Sequence, residues 1–146
     1  MTANHKNTRN ILLVEDNKSD ARLIREFLKD ADMNNILYVV KDGIEALEFL
    51  YTHCKPKCIY CPDLVILDLN LPRKRGIEVL KEMRKDNDLN KMPVIILTTS
   101  NAPEDVDECY KYYANCYIVK PVHLDEFTKI MESFKEFWLN NVKLPP

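Results

Sequence analysis

Four polar groups each stand directly behind a short apolar run. Glu15 and Asp16 follow NILLV, Asp68 follows LVIL, Thr98-Thr99-Ser100 follow VIIL, and Lys120 follows CYIV. Gathered at one place, three carboxylates would repel one another unless a hard divalent cation lay among them. Mg²⁺ takes oxygen ligands and keeps several waters, so two or three carboxylates and a backbone carbonyl suit it. One carboxylate can then act as nucleophile on a phosphoryl group. Metal and lysine would neutralise the transferred oxygens while a hydroxyl donates to them. Singly, each group has a plainer reading. Acidic residues after a strand are often helix N-caps, and Lys-Pro or Thr-Thr-Ser are ordinary turn and cap sequences. The chemistry depends on all four meeting.

A second reactive cluster is the stretch HCKPKCIYC, 53–61. His53, Cys54, Cys58 and Cys61 are chemically suitable zinc ligands. A structural zinc site usually draws on two separated ligand pairs, and this cluster is compact. A solvent-edge loop with reduced thiols, a metal site and a redox-sensing pair all stay open.

The elements that must position these groups alternate. Apolar runs at 10–14, 36–40, 64–69, 93–97 and 116–119 are short and rich in β-branched residues. Between them, apolar residues recur at helical spacing. Leu23, Ile24, Phe27, Leu28 and Ala31 form one such set, and Ile44, Leu47 and Leu50 a second. Ile77, Leu80 and Met83 form a third, and Val106, Cys109, Tyr110 and Tyr113 a fourth. Leu124, Phe127, Ile130, Met131, Phe134 and Trp138 give a long last helix. Five strand–helix units with strands apolar on both sides predict an α/β fold. It is a doubly wound five-stranded parallel sheet with helices on both faces. In the flavodoxin-like order 2-1-3-4-5, the carboxyl ends of strands 1 and 3 open into one crevice. That places Glu15, Asp16 and Asp68 together. One domain over 10–142 is expected, with a polar tail at 1–9 and another at 143–146.

Composition narrows the partners. The chain has 146 residues, 46% hydrophobic and 30% charged, with 21 basic against 23 acidic side chains and a net charge of −2. This is a globular mix, with no basic excess for nucleic acid or an anionic membrane. The opening MTANHKNTRN is polar and lacks the apolar stretch of a signal peptide, and no run approaches a membrane span. The expectation is a cytoplasmic protein with reduced thiols, and the odd count of five cysteines weakens a disulfide framework.

ILLVEDN (11–17), VILDLNLP (65–72), PVIILTTS (93–100) and YIVKP (117–121) resemble the receiver domains of two-component response regulators. The resemblance covers nearly the whole chain. LDLNLP, LTTSNAPED, NCYIVKPV and the tail FWLNNVKLP are most similar to the small receivers associated with phytochrome-type histidine kinases. It implies Asp68 as phosphoacceptor from a kinase phosphohistidine. It implies Mg²⁺ held by Glu15, Asp16, Asp68 and the backbone carbonyl of Asn70. Lys120 would pair with the phosphoryl oxygens, and Thr98 would move to donate to them. Tyr117 matches the aromatic expected to rotate inward with Thr98. Asn70 and Ser100 sit where receivers tune dephosphorylation, and Lys120-Pro121 resembles the family's cis peptide bond. The protein is then a phosphorylatable switch rather than an enzyme on a separate substrate, with self-phosphorylation and self-dephosphorylation at its own Asp. Output goes to a downstream protein, with a homodimer through the C-terminal helix region.

Two positions depart from the pattern. Arg75 precedes Gly76 where an acidic residue or Asn is usual, and Thr99 is bulkier than its usual counterpart, which would restrict water. Haloacid-dehalogenase phosphatases want a second Asp two residues after the nucleophile, and Asn70 stands there instead. The spacing of Cys54, Cys58 and Cys61 formally matches the radical SAM pattern, but that family needs a much longer barrel. In this topology the cysteine stretch runs past the amino ends of the strands, away from the crevice. The rival readings are a receiver fold that no longer uses phosphorylation, and a metal- or redox-sensing module built on 53–61.

Overall fold

Each apolar run becomes a strand because its side chains are wanted on both faces of one sheet. The computed structural model describes residues 8–29, 34–56 and 58–146. Its strands are β1 (Thr8–Val14), β2 (Asn34–Val40), β3 (Leu64–Leu67), β4 (Val94–Thr98) and β5 (Cys116–Val119). All are parallel, in the order β2-β1-β3-β4-β5. Val14 pairs with Leu67, Leu67 with Ile96, and Thr98 with Val119, so the strands finish nearly level.

The helices are α1 (Lys18–Lys29), α2 (Gly43–His53), α3 (Gly76–Lys85), α4 (Pro103–Lys111) and α5 (Leu124–Phe134). Alternation along each strand sorts the core into two layers. Leu12, Val14, Val65, Leu67, Val94 and Ile96 face α2, α3 and α4, meeting Leu47, Leu50, Leu80, Met83 and Cys109. Ile11, Leu13, Leu64, Ile66, Ile95 and Leu97 face α1 and α5, meeting Ile24, Leu28, Phe127, Met131 and Phe134. Each fully buried Leu, Ile or Val contributes roughly 2 kcal/mol. These layers offset the cost of the charged groups buried at one end of the sheet.

Several expectations need correction. Strand β1 already begins at Thr8, inside the stretch expected as a tail. Ala31 lies outside the described residues. Tyr113 is not part of α4; it follows the helix with φ of 60°, in the left-handed region. The last helix passes into a π-helical stretch, Lys135–Asn141. The segment 143–146 folds back, burying Leu144 in the layer under α5, while Pro145 and Pro146 border a cavity beside Cys58, Cys61 and Lys91. No peptide bond among the described residues is cis, so Lys120–Pro121 is trans. Among the described residues, no helix is long and apolar enough to cross a membrane.

Candidate functional site

The level strand ends deliver their polar groups into one crevice. The Glu15 N–H donates to the carbonyl of Val40, and the Asp68 N–H to that of Val14. The Lys120 N–H donates to the carbonyl of Thr98 at 2.7 Å, tying the end of β5 to that of β4. The residues just past β1, β3 and β5 are therefore held by the sheet's own hydrogen-bond ladder.

Charge is packed tightly here. Glu15, Asp68, Thr98 and Lys120 are all buried, while Asp16 is exposed at the rim. Lys120 Nζ donates to Glu15 Oε2 at 2.5 Å, Asp20 Oδ2 at 3.0 Å and Asp68 Oδ2 at 3.2 Å. Glu15, Asp16 and Asp68 each bring one oxygen within 4.8 Å of the others. Burial pushes the Glu15 carboxyl up to about 7, against the pull of Lys120 and with the charge of Asp68 adding to the rise. Burial alone would lower the Lys120 ammonium. Its bond to Glu15, the charges of Glu15 and Asp68 and its bond to Asp20 outweigh that and hold it above an ordinary lysine. Three carboxylates on one ammonium, with Asp16 beside them, leave a negative excess, and the converging donors of Glu15, Asp16 and Asp68 are all oxygen. A hard divalent cation fits it.

The loop after β3 is positioned by glycine. A Cβ on Gly76 would sit 2.1 Å from the backbone oxygen of Asp68, and one on Gly43 would sit 2.2 Å from that of Lys74. The chain's two glycines both clear space for the segment 68–76. The Gly76 N–H donates to the carbonyl of Leu69, and the Asn70 N–H to Asp68 Oδ1 at 3.3 Å. Arg75 takes the N-cap position of α3 in extended conformation, and the Glu78 carboxylate accepts its N–H. The turn forms with Arg75 in place. Arg73, at φ of 65°, donates to Asp42 Oδ2 at 3.2 Å, joining this loop to the N-cap of α2.

At the far wall, Thr98 is fully buried with its Oγ1 accepting from the Ser100 N–H, and Thr99 is exposed. The Tyr117 hydroxyl donates to the Ser100 carbonyl at 2.8 Å, and the Ser100 hydroxyl donates to Asp105 Oδ2. Asp20 was missed from sequence. It lies five residues beyond Glu15, in the first turn of α1, and nothing in its spacing marks it as a partner of a lysine a hundred residues away.

Among the described residues, the cysteine stretch gathers no metal-ligand cluster. Cys54 and Cys61 are joined in a disulfide across Cα atoms 4.6 Å apart, so neither offers a thiolate. The His53 ring packs between those of Phe49 and Tyr60. Cys58 is a free, half-buried thiol, and so is Cys116, whereas Cys109 is buried in the core. The expectation of reduced thiols at 54 and 61 is corrected with that of zinc. Asn10, near the start of β1, donates to the Ile59 carbonyl from its side chain and to Asp63 Oδ2 from its backbone. The loop thus sits at the amino end of the sheet, five β1 steps or about 17 Å from the carboxylates.

The family model described as "Response regulator receiver domain" matches residues 11–132. Response regulator Rcp1 of Synechocystis sp. is 42% identical over 135 residues, spanning 92% of each chain. The crystal structure of the Mn²⁺-bound form of Rcp1 superposes with a TM-score of 0.87 at 40% identity, over 94% of this chain and 99% of that one. The phosphorylated cyanobacterial phytochrome response regulator RcpA superposes with a TM-score of 0.88 at 40% identity, over 95% and 99%.

Proposed function

Because this chain belongs to the response regulator receiver domain family, a signalling family of two-component systems, we propose that Asp68 is its phosphoacceptor. The observation that carries this reading is the buried Asp68 carboxylate held 3.2 Å from the Lys120 ammonium, with Glu15 and Asp16 converging beside it. Asp68 attacks the phosphorus of a phosphohistidine. The new P–O bond forms as the P–N bond to the imidazole breaks, and the imidazole leaves with its electron pair. Lys120, already pointed at Asp68, balances charge on the transferred oxygens. The Thr98 hydroxyl exchanges its Ser100 N–H contact for a phosphoryl oxygen. Tyr117 gives up the Ser100 carbonyl and turns inward, which alters the surface that a protein partner reads.

Glu15, Asp16, Asp68 and the carbonyl of Asn70 would hold the divalent cation, which we take to be Mg²⁺. When bound, it neutralises phosphoryl charge as transfer proceeds. Asn70 and Ser100, at the rim, tune access of water to the phosphoryl group, and exposed Thr99 narrows that access.

The likeness to RcpA supports a phytochrome-type histidine kinase as donor, and a cytoplasmic location with it. A homodimer through the C-terminal helix is supported by a shallow apolar groove among Ile118, Ile130, Phe134, Phe137 and Trp138, with Phe137 exposed. The phosphoacceptor reading is tested by intact mass after incubation with acetyl phosphate and Mg²⁺. One added phosphoryl group is expected, absent in Asp68→Asn; no adduct across donors and times would favour a receiver fold used as a plain binding scaffold.

A further inference from the structure

An ammonium has three N–H donors, and those of Lys120 meet three carboxylates: Glu15, Asp20 and Asp68. Two of these acceptors have a second claim on them. Glu15 and Asp68 also belong to the trio that converges as a cation site; Asp20 does not. Asp20 comes from the first turn of α1, and its side chain is one-third exposed. A cation that engaged Glu15 and Asp68 would compete with Lys120 for both carboxylates, and the Lys120 side chain is only 6% exposed. A buried ammonium stripped of partners is costly.

We propose that Asp20 is a positioning residue that keeps hold of Lys120 while Glu15 and Asp68 turn to the metal. The inference rests on the reading of Glu15, Asp16 and Asp68 as metal ligands. Asp20 offers the ammonium a carboxylate that the cation does not compete for, so the exchange at Glu15 need not strand a charge. It also holds Nζ on the α1 side of the crevice, close to Asp68, until a phosphoryl oxygen arrives to accept from it. Without Asp20, the Lys120–Glu15 pair and the metal compete directly for one carboxylate.

A plainer role exists for Asp20. An acid in the first turn of a helix stabilises that helix against its dipole, and the Asp20 N–H already bonds Asn17 Oδ1. The test must separate the two. Mn²⁺ binding to the full chain, followed by electron paramagnetic resonance, is measured for wild type, Asp20→Asn, Asp20→Glu and the double variant Ser19→Asp/Asp20→Asn. The double variant returns an acid to the same turn at the exposed Ser19 position, without the hydrogen bond to Lys120.

The expected result is about tenfold weaker Mn²⁺ binding in Asp20→Asn and in the double variant, the low end of the effect of losing a direct partner of a metal ligand, since Asp20 acts one step further out, through Lys120. Asp20→Glu recovers most of the affinity. Phosphorylation by acetyl phosphate in Asp20→Asn then falls at low Mg²⁺ and is recovered by raising Mg²⁺ to saturation. Wild-type Mn²⁺ affinity in Asp20→Asn, or restoration by the double variant, overturns the inference and leaves Asp20 a helix-terminal charge. Failure of the wild-type chain to bind Mn²⁺ at all would overturn the reading of the site itself, and this inference with it.

Discussion

The two ends of the sheet solve the same problem in opposite ways. At the amino end, polar groups are paired reciprocally. The Asn10 N–H donates to the Asp63 carboxylate, the Asp63 N–H returns a bond to the Asn10 carbonyl, and the Asn10 side chain closes on Ile59. A disulfide ties off the same loop. At the carboxyl end, Lys120 serves three carboxylates at once, and two of them are shared with a prospective cation site. Closed pairs make an end that stays as it is. Oversubscribed partners make an end that can exchange one for another at little cost, which a phosphorylation switch requires.

The contrast is broken most severely by removing the one ammonium. Lys120→Met leaves three carboxylates without their ammonium, and chemical denaturation in chelator should show a loss of about 4 kcal/mol. Added Mg²⁺ should return a good part of it; no Mg²⁺ response would mean that the carboxylates do not form a cation site. Gly76→Ala comes next. Its methyl group would collide with the Asp68 backbone, and overpacking of that kind should lower stability by about 3 kcal/mol.

The amino end offers the sharper control. Reducing the Cys54–Cys61 bond, or replacing Cys61 by Ser, should cost about 2 kcal/mol through loss of a short closed loop. The rate of phosphoryl incorporation should stay that of the intact chain. A rate that changed with reduction would join the two ends and contradict their separation.

The smallest expected effect, taken per pH unit, is one of pH, at about 1.4 kcal/mol. Glu15 must be ionised to hold a cation, and its carboxyl is pushed up to about 7. Calorimetric titration should therefore show Mg²⁺ affinity falling by about tenfold for each pH unit below that point and levelling above it. The metal-free protein should show the opposite sign. The Glu15 pKa is raised from 4.5 to about 7 in the folded state, so the native chain binds the extra proton between those values. Its stability falls as pH rises through that window.

Much of the carboxyl end was legible in the sequence because strand polarity does the work there. A buried parallel strand of four or five apolar residues ends where the polar group begins, and all five ends share a side. That places Glu15, Asp16, Asp68, Thr98 and Lys120 without knowledge of a single side-chain contact. The amino end was less legible. Pairing of Cys54 with Cys61 depends on how the end of α2 turns back toward β3, and no local pattern encodes it. Asp20 was missed for a related reason, since its reach to Lys120 depends on how α1 sits against β5. The return of Leu144 under α5 likewise follows from an apolar layer left open there, not from any signal at 143–146.

The central claim concerns one atom, the Asp68 carboxylate oxygen, and site mapping tests it most directly. Borohydride reduces an aspartyl phosphate to homoserine, which peptide mass mapping locates after phosphorylation by acetyl phosphate with Mg²⁺. Homoserine is expected at position 68 alone, and none when a chelator replaces the Mg²⁺. Homoserine at Asp16 or Asp20, or stable phosphate on His53 or a cysteine of the 53–61 loop, would contradict it.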